Sequence, residues 1–248
     1  MGRDHLHSLG ASNAHRVIGG VLSPAHDKYS FNKPGLISSA HRVAMCRAAV
    51  KNSDFVRVSA WEAEQEGWTP TRYVKLVETL NRSLHLLHPY TLNVQNMVCV
   101  FDFREALDAY ASQMRSYARG LIPRPEWISP DSTLADLAEA TLYFLCGDDL
   151  LESFNTPGLW KQADIEKIVR DYGLVVLSRG GKSQELVYKS DLLYRYRENI
   201  LTCISDMGTD ISSTKVRLAV RRGKSVRYIV ADEVIEYIRQ NNLYKEGM

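Results

Sequence analysis

The segment Ile211-Ser212-Ser213-Thr214-Lys215-Val216-Arg217 holds the densest set of groups able to do chemistry. Hydroxyls at a helix N-terminus, beside unpaired backbone N–H groups, bind phosphate oxygens, and the helix dipole favours the negative charge. Arg217, on the same face, adds a forked and permanently charged donor. Ser212, Ser213, Thr214 and Arg217 together could form an anion site for phosphate. The bland reading is a cap on a basic helix.

A second set is Leu145-Cys146-Gly147-Asp148-Asp149-Leu150-Leu151, followed by Phe154, Pro157 and Trp160. A glycine at the carboxyl end of a strand lets a ligand approach the backbone, where open α/β sheets bind their ligands. Asp149 would then accept hydrogen bonds from ribose hydroxyls, although aspartate is also a routine helix cap. A third set is Ala60-Trp61-Glu62, with Trp68 and Thr71 beyond it. A tryptophan just after a strand can stack on a planar heterocycle, or can simply seal the edge of the core.

Several other patterns lead nowhere. Gly181-Lys182-Ser183 has the ending of a phosphate-binding loop, but Val176 stands where the first glycine is required. His5 and His7 are too few for a metal site. The scattered Cys46, Cys99, Cys146 and Cys203 form neither a zinc motif nor a disulfide framework, and are expected to be buried thiols. The cations Lys215, Arg217, Arg221, Arg222, Lys224 and Arg227 lack the interleaved aromatics of a nucleic-acid groove and suit a few phosphates better.

Alternating strands and helices must position these groups. Continuous apolar runs at 17–22, 55–58, 142–146 and 174–177 read as buried strands, and 199–204 as an edge strand. Helices are predicted over 38–49 and 149–154, from Ser212 or Ser213 to Arg222 with Gly223 as the stop, and from Asp232 onward. The pattern is α/β, a doubly wound parallel sheet covered on both faces. One domain of 248 residues is expected, with residues 83–140 as a partly disordered insertion that includes a helix over 102–117. Residues 3–9 resemble the end of a helix stopped by Gly10.

The net charge of +2 gives no general argument for nucleic acid or membrane as a partner. No apolar run approaches the ~20 residues a bilayer span needs, and the N-terminus lacks the apolar core of a signal peptide. An intracellular protein is expected.

In order along the chain, these segments resemble the eukaryotic nicotinamide/nicotinate mononucleotide (NMN) adenylyltransferases. The matching text includes Ser23-Pro24 with Asp27 and Tyr29, Gly35-Leu36, His41-Arg42, Lys51-Asn52-Ser53 and Trp61-Glu62. It resumes with Leu145-Cys146-Gly147, Asp149 to Phe154, Leu159-Trp160, Asp191 and Ile211 to Thr214. It closes with Arg221 to Tyr228 and Asn242-Leu243-Tyr244.

The resemblance implies a Rossmann-like nucleotidyltransferase that joins ATP, with Mg²⁺, to NMN or nicotinate mononucleotide. Arg217 and Thr214 would be catalytic, with Ser212 and Ser213 completing the ATP phosphate site. Trp61 and Trp160 would sandwich the pyridine, with Gly147, Asp149, Leu159, Lys33 and Arg179 also binding substrate. No metal-ligating residue is assigned; a homo-oligomer in the nucleus or cytoplasm is implied. The family opens with a strand, a Gly-Ser-Phe-Asn-Pro loop and a Thr-x-x-His segment. This chain begins within the first helix, so the first strand and phosphate loop are expected to be missing and the strands beside that position unpaired. The segment Ser30-Phe31-Asn32-Lys33-Pro34 also holds one lysine where the family has a lysine-rich stretch. The alternative is a non-catalytic family member that binds pyridine nucleotides or has a chaperone-like role.

Overall fold

The structure is a computed structural model that describes residues 17–27, 36–65, 103–178, 180–204 and 211–245. Its first elements are β1 (Gly20–Leu22), α1 (Ser39–Ala49) and β2 (Val56–Val58). Next come α2 (Phe103–Ala118), α3 (Leu134–Glu139), β3 (Phe144–Gly147), α4 (Asp148–Phe154) and α5 (Gln162–Lys167). After one π-helical turn, Ile168–Tyr172, follow β4 (Leu174–Ser178), α6 (Lys182–Tyr188), α7 (Asp191–Arg195) and β5 (Ile200–Ile204). The last elements are α8 (Ser213–Arg221) and α9 (Asp232–Gln240).

The chain divides into two compact units, Val21–Asp102 with Asp210–Met248, and Met1–Gly20 with Phe103–Thr209. In the first unit Ser38 caps α1, its hydroxyl accepting from the His41 N–H at 3.5 Å. The inner face of α1 buries Val43, Met45 and Cys46. Val43 and Cys46 pack with Leu22, Val58 and Ala60, while Met45 joins Val216, Val234 and Ile238 of the two C-terminal helices. Arg42 is buried with them because its Nη2 donates to Asp27 Oδ1 and its Nε to the Ile37 carbonyl, both at 2.9 Å. Burial works against the Asp27 carboxylate, but Arg42 and Ser39 outweigh it and hold its pKa below the ordinary value. Helix α8 ends in a Schellman motif: Gly223, at φ 67°, donates to the Val220 carbonyl and Lys224 to that of Ala219.

The other unit holds a parallel sheet in the order β3-β4-β5, with Cys146 opposite Val176 and Val176 opposite Thr202. Leu174, Val175 and Val176 are all buried, as a central strand covered on both faces must be. Gly173 turns the chain from the π turn into β4 at φ 80°. A Cβ there would lie 2.8 Å from the Asn199 carbonyl oxygen, so no other residue fits without displacement.

Elements emerge close to where the sequence placed them, with shifted ends. The strand expected from Val17 begins at Gly20, and Ser212 is the cap of α8. The strands of the described residues form two sheets: β1 pairs with β2, and β3, β4 and β5 form the other. Cys46, Cys146 and Cys203 are buried thiols in no disulfide among the described residues, and burial pushes the Cys46 thiol up to about 12; Cys99 lies outside the described residues. Within 103–140, α2 buries Leu107, Tyr110, Ala111 and Met114 on one face. Its Asp108 accepts from Lys167 Nζ at 2.7 Å and from the Tyr172 hydroxyl, tying α2 to α5 and the π turn. The helix suggested over residues 3–9 lies outside the described residues.

Candidate functional site

Helix α8 presents the anion-binding set. The Ser212 hydroxyl accepts from the Lys215 N–H at 3.1 Å, so this serine is committed to capping. Ser213 is buried and Thr214 half-buried in the first turn. Arg217 reaches back along the same face, and its Nη2 donates to Thr214 Oγ1 at 3.3 Å. Among the described residues no carboxylate pairs with Arg217. Burial lowers its pKa, Tyr244 opposes that effect, and Arg221 adds to it. A half-buried guanidinium that no carboxylate pairs with among the described residues, beside a hydroxyl at a helix N-terminus, could receive an anion.

Trp61 lies in the same unit, half-buried in the turn after β2. Its N–H donates to Ser59 Oγ at 3.3 Å and its carbonyl accepts from Gln65 Nε2 at 2.8 Å. The next residue, Glu62, is buried and accepts from the Ser23 hydroxyl at 2.9 Å. The turn carrying Trp61 is thus tied to the end of β1.

The other unit assembles the second set. Gly147 ends β3 and begins α4 in extended backbone, φ −100°. A Cβ at Gly147 would meet nothing within 4 Å. Neither backbone geometry nor packing requires glycine here, and the space in front of it is open to a ligand. Asp149 is exposed in the first turn of α4. Its neighbour Asp148 accepts from Ser178 Oγ at 3.0 Å, and the same oxygen accepts from the Gly181 N–H at 3.0 Å. Trp160 folds back onto α4: its Nε1 donates to Ser153 Oγ at 3.0 Å, and its ring meets Phe154 edge-on, centroids 5.0 Å apart. Gly147 and Asp149 thus stand at the start of α4, whereas Trp160 packs against its last residues, with Leu159 half-buried next to the tryptophan in the chain. Lys33 and Arg179 lie outside the described residues.

Sequence reasoning passed over Ser178 and Tyr244. Ser178 carried a signal, a hydroxyl ending an apolar strand, but its bond to Asp148 needed the register of β3 against β4. Tyr244 carried none beyond its place in the closing Asn-Leu-Tyr.

A parallel sheet with helices between its strands and a glycine at a strand's carboxyl end fit a nucleotidyltransferase-like α/β protein. The chain matches the family described as cytidylyltransferase-like over residues 6–219. It is 37% identical over 245 residues to nicotinamide/nicotinic acid mononucleotide adenylyltransferase 1 of Bos taurus, across 98% of this chain and 81% of the relative. A nicotinamide-nucleotide adenylyltransferase of Drosophila melanogaster is 35% identical over 243 residues, 98% of this chain and 55% of the relative. The Oryza sativa subsp. japonica enzyme of the same type is 34% identical over 248 residues, 100% and 78% of the two chains. The chain belongs to the nicotinamide/nicotinic acid mononucleotide adenylyltransferase family.

Proposed function

We propose that this chain transfers AMP from ATP to nicotinamide mononucleotide or nicotinate mononucleotide, forming NAD or its deamido form. A phosphate oxygen of the mononucleotide attacks the α-phosphorus of ATP, the bond to the bridging oxygen breaks, and pyrophosphate leaves. Such a displacement needs positioning and charge neutralisation more than a covalent nucleophile. The observation that carries the reading is Arg217, a half-buried cation that no carboxylate pairs with among the described residues, bonded to Thr214 at the N-terminus of α8.

On this reading Ser213, Thr214 and Arg217 take the ATP phosphates, with Ser212 holding the helix end that carries them. Gly147 and Asp149 take ribose, and Trp61 and Trp160 the pyridine, with Leu159, Lys33 and Arg179 completing the substrate set. Among the described residues no three His, Cys, Asp or Glu side chains form a metal cluster. The donors on α8 are hydroxyls and a guanidinium, which suit an anion, so Mg²⁺ belongs here as the ion the triphosphate carries with it. The two compact units act as one domain in this reading, and self-association in the nucleus or cytoplasm goes with it.

The test incubates the purified chain with MgATP and either mononucleotide, following NAD or its deamido form by chromatography and pyrophosphate by a coupled assay. Equal yields of dinucleotide and pyrophosphate support the reading. Neither product, together with no calorimetric binding of ATP, overturns it.

A further inference from the structure

The turn that follows α8 holds an aromatic residue used by neither the core nor the α8 anion set. Tyr228 is 96% exposed and sits in left-handed backbone at φ 67°. A bulky aromatic is rare in that region, and such strain persists only where the surroundings impose it. The imposing contacts lie on either side. Val226 and Val230 are buried in the cluster with Val216, Val234 and Ile238. The Val226 carbonyl accepts from the N–H groups of Ile229 and Val230, each at 3.2 Å. The turn closed by these bonds leaves Tyr228 in solvent beside Ile229, itself 44% exposed. Exposed apolar residues scattered singly are ordinary. Here an aromatic and an aliphatic stand together, the first at a cost in backbone strain.

The same stretch is cationic. From Arg221, the last residue of α8, to Ile229 it carries Arg221, Arg222, Lys224 and Arg227 and no acidic residue. Within it only Val226 is buried. The Arg227 guanidinium lies 5.9 Å from the centroid of the Tyr228 ring, so cation and ring are presented together. Arg227 Nε is also 3.7 Å from Asp232, an exposed ion pair that water and salt weaken. Glu233 accepts from Asn52 Nδ2 at 3.3 Å. Among the described residues no carboxylate pairs with Arg221, Arg222 or Lys224.

We propose that this loop docks on an anionic lipid surface, with Tyr228 and Ile229 entering the interface and the flanking cations meeting headgroup phosphates. The amphipathic ring of tyrosine suits the headgroup level. Ile229 gains by leaving water, and each Lys or Arg beside such a surface strengthens binding about fivefold. Charge complementarity alone would fit single-stranded nucleic acid as well. That ligand stacks successive bases on flat faces. The loop offers one ring beside a branched aliphatic, which matches a lipid surface better.

The test sediments the purified chain with phosphatidylcholine vesicles, with and without phosphatidylserine. The expected result is binding that requires phosphatidylserine and weakens as salt is added. Arg222→Glu combined with Lys224→Glu should lower partitioning at least about tenfold. Tyr228→Asn separates docking from folding, because asparagine tolerates left-handed backbone. That variant should keep or raise the wild-type Tm while its partitioning falls several-fold. A tyrosine kept only for the fold would instead lower Tm on replacement and leave partitioning unchanged. Arg217→Ala should partition like the wild type; lost binding there would place the headgroup phosphate on α8 and overturn the proposal. So would a wild-type chain that ignores phosphatidylserine vesicles, or binding that survives either loop variant. Binding of a mixed-sequence RNA oligonucleotide without binding of the vesicles would assign the loop to nucleic acid instead.

Discussion

Ser178, the last residue of β4, donates its hydroxyl to Asp148, the first residue of α4, across 3.0 Å. The bond joins the carboxyl ends of two neighbouring parallel strands directly behind Gly147 and Asp149. Ser178 is fully buried, so its replacement by alanine removes a donor from a carboxylate with little access to water. The expected loss of stability is about 1.5–3 kcal/mol, the range for hydrogen bonds to charged groups. Urea unfolding measures it, and mononucleotide affinity should fall in the same variant because the start of α4 loosens.

Gly147→Ala separates ligand from fold. The backbone at φ −100° accepts alanine, and the added methyl meets open space. Its cost as a helix cap should stay below about 1 kcal/mol. Mononucleotide affinity should nevertheless fall at least several-fold, because the methyl occupies the approach to the strand end. Unchanged affinity by calorimetry would show that the ligand passes elsewhere.

Most elements around these sites were legible because each carries a local signal. Ser212 before an apolar-periodic run announced α8, Gly223 announced its end, and the run Leu174-Val175-Val176-Leu177 announced a strand buried on both faces. What was not legible depends on pairs far apart in the chain. Nothing local joins Asp108 to Tyr172 or His41 to Tyr237, yet the latter pair lies 2.9 Å apart across 196 positions. Which strand pairs with which was obscured for a related reason. Periodicity identifies a strand but does not say which strand it bonds. Tyr244 escaped because a left-handed φ at an aromatic residue is imposed by packing, without a sequence mark of its own.

The cluster around Asp108 predicts acid sensitivity. Burial works against this carboxylate, but Lys167 and Tyr172 outweigh it and hold its pKa below the ordinary value. A depressed carboxylate stabilises the fold above its unfolded pKa, about 3.9, and that stability disappears as pH falls through the folded value. Asp108→Asn should therefore lower Tm at pH 7, by an amount kept modest because a third of the side chain is exposed. The gap between variant and wild type should narrow steadily below about pH 4. A gap independent of pH would assign the effect to packing.

Arg217→Ala should impair ATP more than mononucleotide. A forked cation whose grip tightens as charge develops in the transition state contributes to kcat as well as to binding. Loss of one such donor costs about 10²–10³ in rate. Steady-state kinetics with each substrate varied in turn measures the split. Near-wild-type values for both substrates would leave Arg217 as a helix residue without a catalytic part.

Trp160 offers a test of pyridine stacking, because one of the contacts that orient it, the hydrogen bond to Ser153, is removable without touching the indole. The indole N–H is held by Ser153, whose own hydroxyl donates to the Leu150 carbonyl at 2.6 Å, and Phe154 meets the ring edge-on. Replacing the tryptophan itself disturbs both packing and stacking, so Trp160→Ala lowers Tm and affinity together and decides little. Ser153→Ala leaves the indole and Phe154 unaltered and removes the tether together with the bond to the Leu150 carbonyl, each at about 0.5–1.5 kcal/mol of stability. If the ring lies against the nicotinamide, a loosened ring should weaken binding of NMN and of nicotinate mononucleotide alike, since both present the same planar face. Trp61→Phe should reduce both affinities as well, because a smaller ring retains part of the overlap. Calorimetric titration of each mononucleotide, with Tm followed in parallel, separates the outcomes. Affinity lost by Ser153→Ala with Tm nearly kept supports stacking on Trp160. Unchanged affinity for both mononucleotides would leave Trp160 as a packing residue beside Phe154.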